Sequence, residues 1–117
     1  MSDKITLIVR FKLQEAAKAE FVAQLKKLFA HIEREATFIE ASLQQDLEDQ
    51  TSLLVYEVWH ETPESFMKNQ MTREYRRGFE QAIVDLQVER TASWYTSLAG
   101  WTPDLKESSA YCGKESK

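Results

Sequence analysis

Glycine, proline, cysteine and histidine are all scarce in this chain: 3 Gly, 2 Pro, 1 Cys and 2 His among 117 residues. With three glycines, neither a phosphate-cradling loop nor a dinucleotide-binding fingerprint can be written. His31 and His60 lie too far apart for a helical i, i+4 pair, and no acidic stretch has the spacing of a calcium loop, so no metal site is expected. Cys112 stands alone and has no internal disulfide partner, which points to a reducing compartment. Apolar runs are short, well below the roughly 18 residues of a membrane span. Met1-Ser2-Asp3-Lys4 leads straight into Ile5–Leu13, without the features of a signal peptide, so a cytoplasmic protein with no membrane association is expected. The net charge of −4 and a pI near 5.2 argue against nucleic acid as a partner.

What the sequence does contain is an apolar fraction of 43% beside 29% charged residues, the balance of a folded soluble domain. The run Ile5–Leu13 is β-rich and alternating. From about Glu15 to Glu35 the period changes, and Ala17, Phe21, Leu25, Leu28, Phe29 and Ile32 mark one helical face. Thr37–Leu47 and Thr51–His60 alternate again around the polar turn Asp46–Gln50, which predicts an antiparallel hairpin. Thr62-Pro63-Glu64 is a helix start: a hydroxyl cap, proline at the first position, and a carboxylate at the positive helix end. Thr72 is a candidate cap for a second helix carrying Tyr75, Phe79, Ala82, Ile83 and Leu86 on one face, before alternation resumes over Val88–Leu98. The order β-α-β-β-α-β is the ferredoxin-like α+β plan, a four-stranded antiparallel sheet with helices on one face. The expected division is a domain over residues 1–103 and a polar tail over 104–117. Leu53 and Val55 in one register against Leu54 and Val58 in the other make the third strand apolar on both sides. A second copy of the chain, packed sheet against sheet, is the expected cover.

The stretch Leu54-Val-Tyr-Glu-Val-Trp-His-Glu-Thr-Pro-Glu-Ser-Phe66 resembles the antibiotic biosynthesis monooxygenase domain family. The resemblance rests on a strand ending in aromatic-Glu-x-Trp, here Tyr56, Glu57 and Trp59, followed by a short helix with Phe66. Glu20-Phe21 near the start of the long helix and the Asp46-Leu-Glu-Asp49 turn extend it over about residues 5 to 98. It implies a dimeric α/β barrel. It also implies oxidation of a small phenol, quinol or anthrone by molecular oxygen with no metal or flavin. Family members often place a histidine three residues after the helix phenylalanine, where this chain has Asn69, its only asparagine. An asparagine orients a substrate by hydrogen bonds but accepts no proton near neutral pH. Haem degraders of the family use an asparagine on the first strand and a histidine on the later helix; both are absent, so haem is disfavoured and no cofactor is expected.

Glu57 and Trp59 share a strand face. Burial among apolar neighbours would raise the Glu57 pKa and suit it to act as a general base, or it is a structural carboxylate paired with an arginine. Trp59 suits either stacking on a flat aromatic substrate or plain core. His60, on the opposite face, is the pH-tunable alternative base. Catalysis is therefore assigned to Glu57, Asn69 and His60, with Trp59, Phe66, Tyr75 and Phe79 as pocket walls for a small aromatic substrate. Arg73, Arg76 and Arg77 are spaced to meet an anion, yet Glu74 and Glu80 among them read as a solvated, salt-bridged face. A non-catalytic dimeric ligand-binding protein and a cofactor-free isomerase in the same pocket are the alternatives. The homodimer has a direct check. Sedimentation at micromolar concentration should give twice the chain mass of 13.6 kDa, and a species at the single-chain mass would refute it.

Overall fold

The computed structural model of the chain describes residues 4–103, so the polar tail and Cys112 lie outside the described residues. Four strands form one antiparallel sheet: β1 (Ile5–Lys12), β2 (Phe38–Gln45), β3 (Ser52–Trp59) and β4 (Glu89–Tyr95), in the order β2-β3-β1-β4. A 3-10 turn (Glu15–Ala17) leads into helix α1 (Lys18–Ile32), and the short helix α2 (Pro63–Ser65) continues as a π turn (Phe66–Gln70). A second 3-10 turn (Glu74–Arg76) leads into helix α3 (Arg77–Asp85). This is the expected ferredoxin-like α+β fold.

Alternation along the strands sorts side chains between the two sheet faces. Ile5, Leu7, Val9 and Phe11 of β1 and Leu53, Val55 and Trp59 of β3 share one buried cluster with Phe21, Leu25, Leu28 and Ile32 of α1 and Phe79 and Ile83 of α3. Phe11, Phe21 and Phe79 meet at its centre, with ring centroids 4.9–6.2 Å apart. The even-numbered residues of β1 and β3 stay outside the cluster, and Ile8, Leu54 and Tyr56 among them remain half-exposed.

Two irregularities shape the helix-covered face. Phe38 pairs with Trp59 and Glu40 with Val58, so Ile39 is an extra residue in β2. This bulge returns Phe38 to the Trp59 side, where the rings meet edge to face at 5.2 Å. The second irregularity is the start of the last helix, which differs from expectation. Thr72 does not cap it; its hydroxyl donates to the Lys68 carbonyl at 2.8 Å. Arg73 is extended, its guanidinium bound by Glu35, and the 3-10 turn intervenes, so α3 begins at Arg77.

The start of α2 follows the sequence closely. Thr62 Oγ1 accepts from Ser65 N at 3.0 Å while Ser65 Oγ accepts from Thr62 N at 2.9 Å, and Pro63 takes the first helical position. The Ser65 hydroxyl also donates to Glu61, a buried carboxylate that accepts from Thr37 Oγ1 at 2.6 Å and Gln70 Nε2 at 3.2 Å. Burial pushes the Glu61 pKa up, but the bonds from Ser65, Thr37 and Gln70 together outweigh it and hold the carboxyl below its ordinary range. Replacing Thr62 by Ala should cost about 1 kcal/mol in urea unfolding, the usual worth of such a cap; an unchanged midpoint would show that α2 is held by packing alone.

Candidate active site

Between the sheet and the helices lies a cavity of about 320 Å³. Its floor is Leu7, Val9, Val55 and Glu57, its roof Phe66, Met67 and Met71 from the α2 and π-turn segment, and its far wall Arg76 and Phe79. Trp94, Ala92 and Arg90 of β4 line the open edge. The lining is apolar except for two carboxylates and two guanidinium groups.

Glu57 sits on the floor because β3 places every second residue beneath the helices. It faces Leu7 across the sheet and is 6% exposed. Trp59, two residues on and fully buried, donates from Nε1 to Glu57 Oε1 at 2.8 Å. Burial drives the Glu57 pKa up; the Trp59 bond and the charge of Arg76 oppose it without cancelling it. Trp59 packs edge to face on Phe66 at 5.2 Å, and Phe66 on Trp94 at 5.3 Å.

Arg76 is the group that sequence spacing grouped with Arg73 and Arg77. The structure separates the three. Arg77 is exposed beside Glu74, and Arg73 donates from Nε and Nη2 to the two Glu35 oxygens at 3.0 Å each. Arg76 instead turns inward, 7% exposed, with its guanidinium carbon 5.4 Å from the Phe66 ring centroid. Its burial lowers its pKa, while Glu57, Tyr75 and Glu80 nearby support the charge. Glu80 is itself engaged by Arg90 through two bonds of 2.7 and 2.8 Å. A signal for Arg76 was present in the sequence: with Phe79 and Ile83 it follows the i, i+3, i+7 stripe of the apolar face.

Of the residues assigned from sequence, Glu57, Phe66 and Phe79 line the cavity together, and Trp59 stands directly behind Glu57. Three others are not brought there. His60 and Asn69 are exposed, one past the end of β3 and one on the outer side of the π turn. Tyr75 is not a wall of this cavity: its ring stacks on His31 at 4.8 Å and its hydroxyl donates to Glu35 Oε2 at 2.6 Å. Burial and that carboxylate push the Tyr75 pKa up to about 12. The reason for the displacement is the late start of α3, which puts Arg76 rather than Tyr75 on the inward side. Among the described residues, no group of three or more His, Cys, Asp or Glu side chains converges as a metal site would, and no helix is long and apolar enough to cross a membrane.

A ferredoxin-like sheet enclosing an apolar cavity with a buried acid defines a class of small α+β proteins, and comparison narrows it. The model of the family described as antibiotic biosynthesis monooxygenase matches residues 4–86, and the chain belongs to that family. SnoaB from Streptomyces nogalater, a cofactor-independent oxygenase, superposes with a TM-score of 0.68 at 20% identity, over 88% of this chain and 100% of its own. PA3566 from Pseudomonas aeruginosa gives 0.73 at 22% identity, over 85% of this chain and 98% of its own. Rv0793 from Mycobacterium tuberculosis gives 0.72 at 12% identity, over 85% and 99%. At these identities the likeness is one of fold. No curated protein matches the chain.

The raised Glu57 pKa has a consequence for stability. A carboxyl whose folded pKa lies above its unfolded value contributes fully below the unfolded pKa, and the contribution is lost as pH rises through the folded pKa. Glu57→Gln mimics the protonated form and its Oε1 still accepts from Trp59. Urea unfolding should show the variant matching the wild type at acid pH and exceeding it at alkaline pH. A difference that does not change with pH would contradict the burial of an ionising group.

Proposed function

We propose that the protein is a cofactor-independent monooxygenase that oxidises a small electron-rich phenol, quinol or anthrone with molecular oxygen, with Glu57 as the base. One observation carries this reading: a buried carboxyl, with its pKa displaced upward, lines an apolar cavity in a chain of the monooxygenase family. The naming of SnoaB as a cofactor-independent oxygenase supports chemistry without flavin or metal.

The chemistry requires a proton acceptor whose pKa approaches the operating pH. Trp59 holds one Glu57 oxygen, and the carboxylate takes a proton from the substrate O–H or activated C–H. The resulting anion is electron-rich enough to reduce oxygen directly. For an anthrone, the CH₂ becomes a carbonyl: one oxygen atom enters the product, the other leaves as water, and the substrate supplies all the electrons. Arg76 stabilises the anion electrostatically in a largely apolar cavity. His60 and Asn69, exposed and outside the cavity, have no role in this version. A second copy of the chain over the even-numbered sheet face completes the working unit.

Oxygen-electrode assays with a panel of quinols and anthrones test the reading. Glu57→Gln should lower uptake by about 10²–10⁴-fold, the range for a lost general base, while Asn69→Ala and His60→Ala leave it unchanged. Full uptake by the Glu57 variant would overturn the assignment. Turnover without oxygen consumption would indicate an isomerase, and tight binding with no turnover a ligand-binding protein.

A further inference from the structure

Arg76 presents an unusual edge to the cavity. Its Nε and Nη2 are buried and have no hydrogen-bond partner among the described residues. A guanidinium stays protonated in proteins, so both N–H donors are costly to bury unsatisfied. The neighbouring groups do not fill them: Glu80 is held at both oxygens by Arg90, and Glu57 Oε1 is held by Trp59. Nε and Nη2 lie along the same edge of the planar guanidinium and form a parallel fork. Arg73, three residues earlier, uses this same pair of atoms to hold both oxygens of Glu35. The edge that Arg73 fills with a carboxylate is the edge that Arg76, a wall of the cavity, leaves buried and unpaired.

We infer that the ligand of this cavity carries a carboxylate, bound side-on by Arg76 Nε and Nη2, with an unsaturated apolar body lying against Phe66 and Trp94. The substrate class is thereby an aromatic carboxylic acid rather than a neutral phenol. The charge is matched by one bidentate, charge-assisted pair, the strong form of this contact. The aromatic body is matched by rings that already pack edge to face. A neutral carbonyl or phenol oxygen can accept from these donors but leaves the buried guanidinium charge unmatched, whereas a carboxylate satisfies both donors and the charge together. The inference rests on the proposed function only in taking the Glu57 cavity as the ligand site.

The test is binding, read separately from turnover. Calorimetric titration with 4-hydroxybenzoate and with its neutral isostere 4-hydroxybenzamide should show the acid binding about tenfold tighter or more, as expected for two charge-assisted bonds. Arg76→Gln should abolish that preference. Arg76→Lys, which keeps the charge but loses the fork, should retain only part of it and serves if the glutamine variant does not fold. A merely structural arginine would weaken both ligands together and leave their ratio unchanged. Equal affinity for the two ligands, binding of neither, or a preference that survives in both variants would overturn the inference. Carboxylate preference without oxygen uptake would sustain it while refuting the monooxygenase reading; rapid oxidation of neutral quinols with no acid preference would do the reverse.

Discussion

The hydrogen bond from Trp59 Nε1 to Glu57 Oε1 holds the cavity in its shape. It joins residues two apart on one strand, so it exists only where both side chains face the helices. Everything around it serves that placement. The β2 bulge brings Phe38 against the Trp59 ring, and the capped α2 start brings Phe66 against its other side. A tryptophan so enclosed has one polar atom, and a buried indole N–H needs an acceptor. Glu57 supplies it and is itself kept out of water in consequence.

The charged groups on this face of the molecule divide into two kinds. Glu35 with Arg73, and Glu80 with Arg90, are bidentate pairs whose geometry satisfies both partners. Both carboxyls are held below their ordinary range: Glu80 chiefly by its Arg90 bonds, and Glu35 because burial pushes it up but the Tyr75 and Arg73 bonds together outweigh that. Glu57 and Arg76 share the cavity without forming such a pair, and their pKa values move in the directions that burial dictates. The fold therefore retains one acid and one cation in reserve where a purely structural interior would have paired them or replaced them by apolar residues.

Much of this was legible in the sequence. Strand alternation placed Glu57 and Trp59 together, the Thr62-Pro63 signal located α2, and the periodicity of Phe21 through Ile32 marked α1. The misplacements have a common source. Tyr75 and Arg76 are adjacent, and which of them faces inward depends on where α3 begins. That start is set by Arg73 binding Glu35, a contact 38 residues apart in sequence and invisible to local pattern. Asn69 was assigned by family position, yet the π turn widens the backbone there and turns it to solvent, a departure from 3.6-residue periodicity that composition does not signal.

Glu61 lies outside the cavity, yet it ties the roof to the rest of the fold. One carboxylate receives Thr37 from the link before β2, Ser65 from the α2 cap and Gln70 from the end of the π turn. The residue before β2 and both ends of the continuous α2–π turn segment thus share a single anchor. The placement of Phe66, Met67 and Met71 over the cavity is therefore tied to the residue that leads the chain into β2, a coupling between roof and sheet edge carried by one carboxylate.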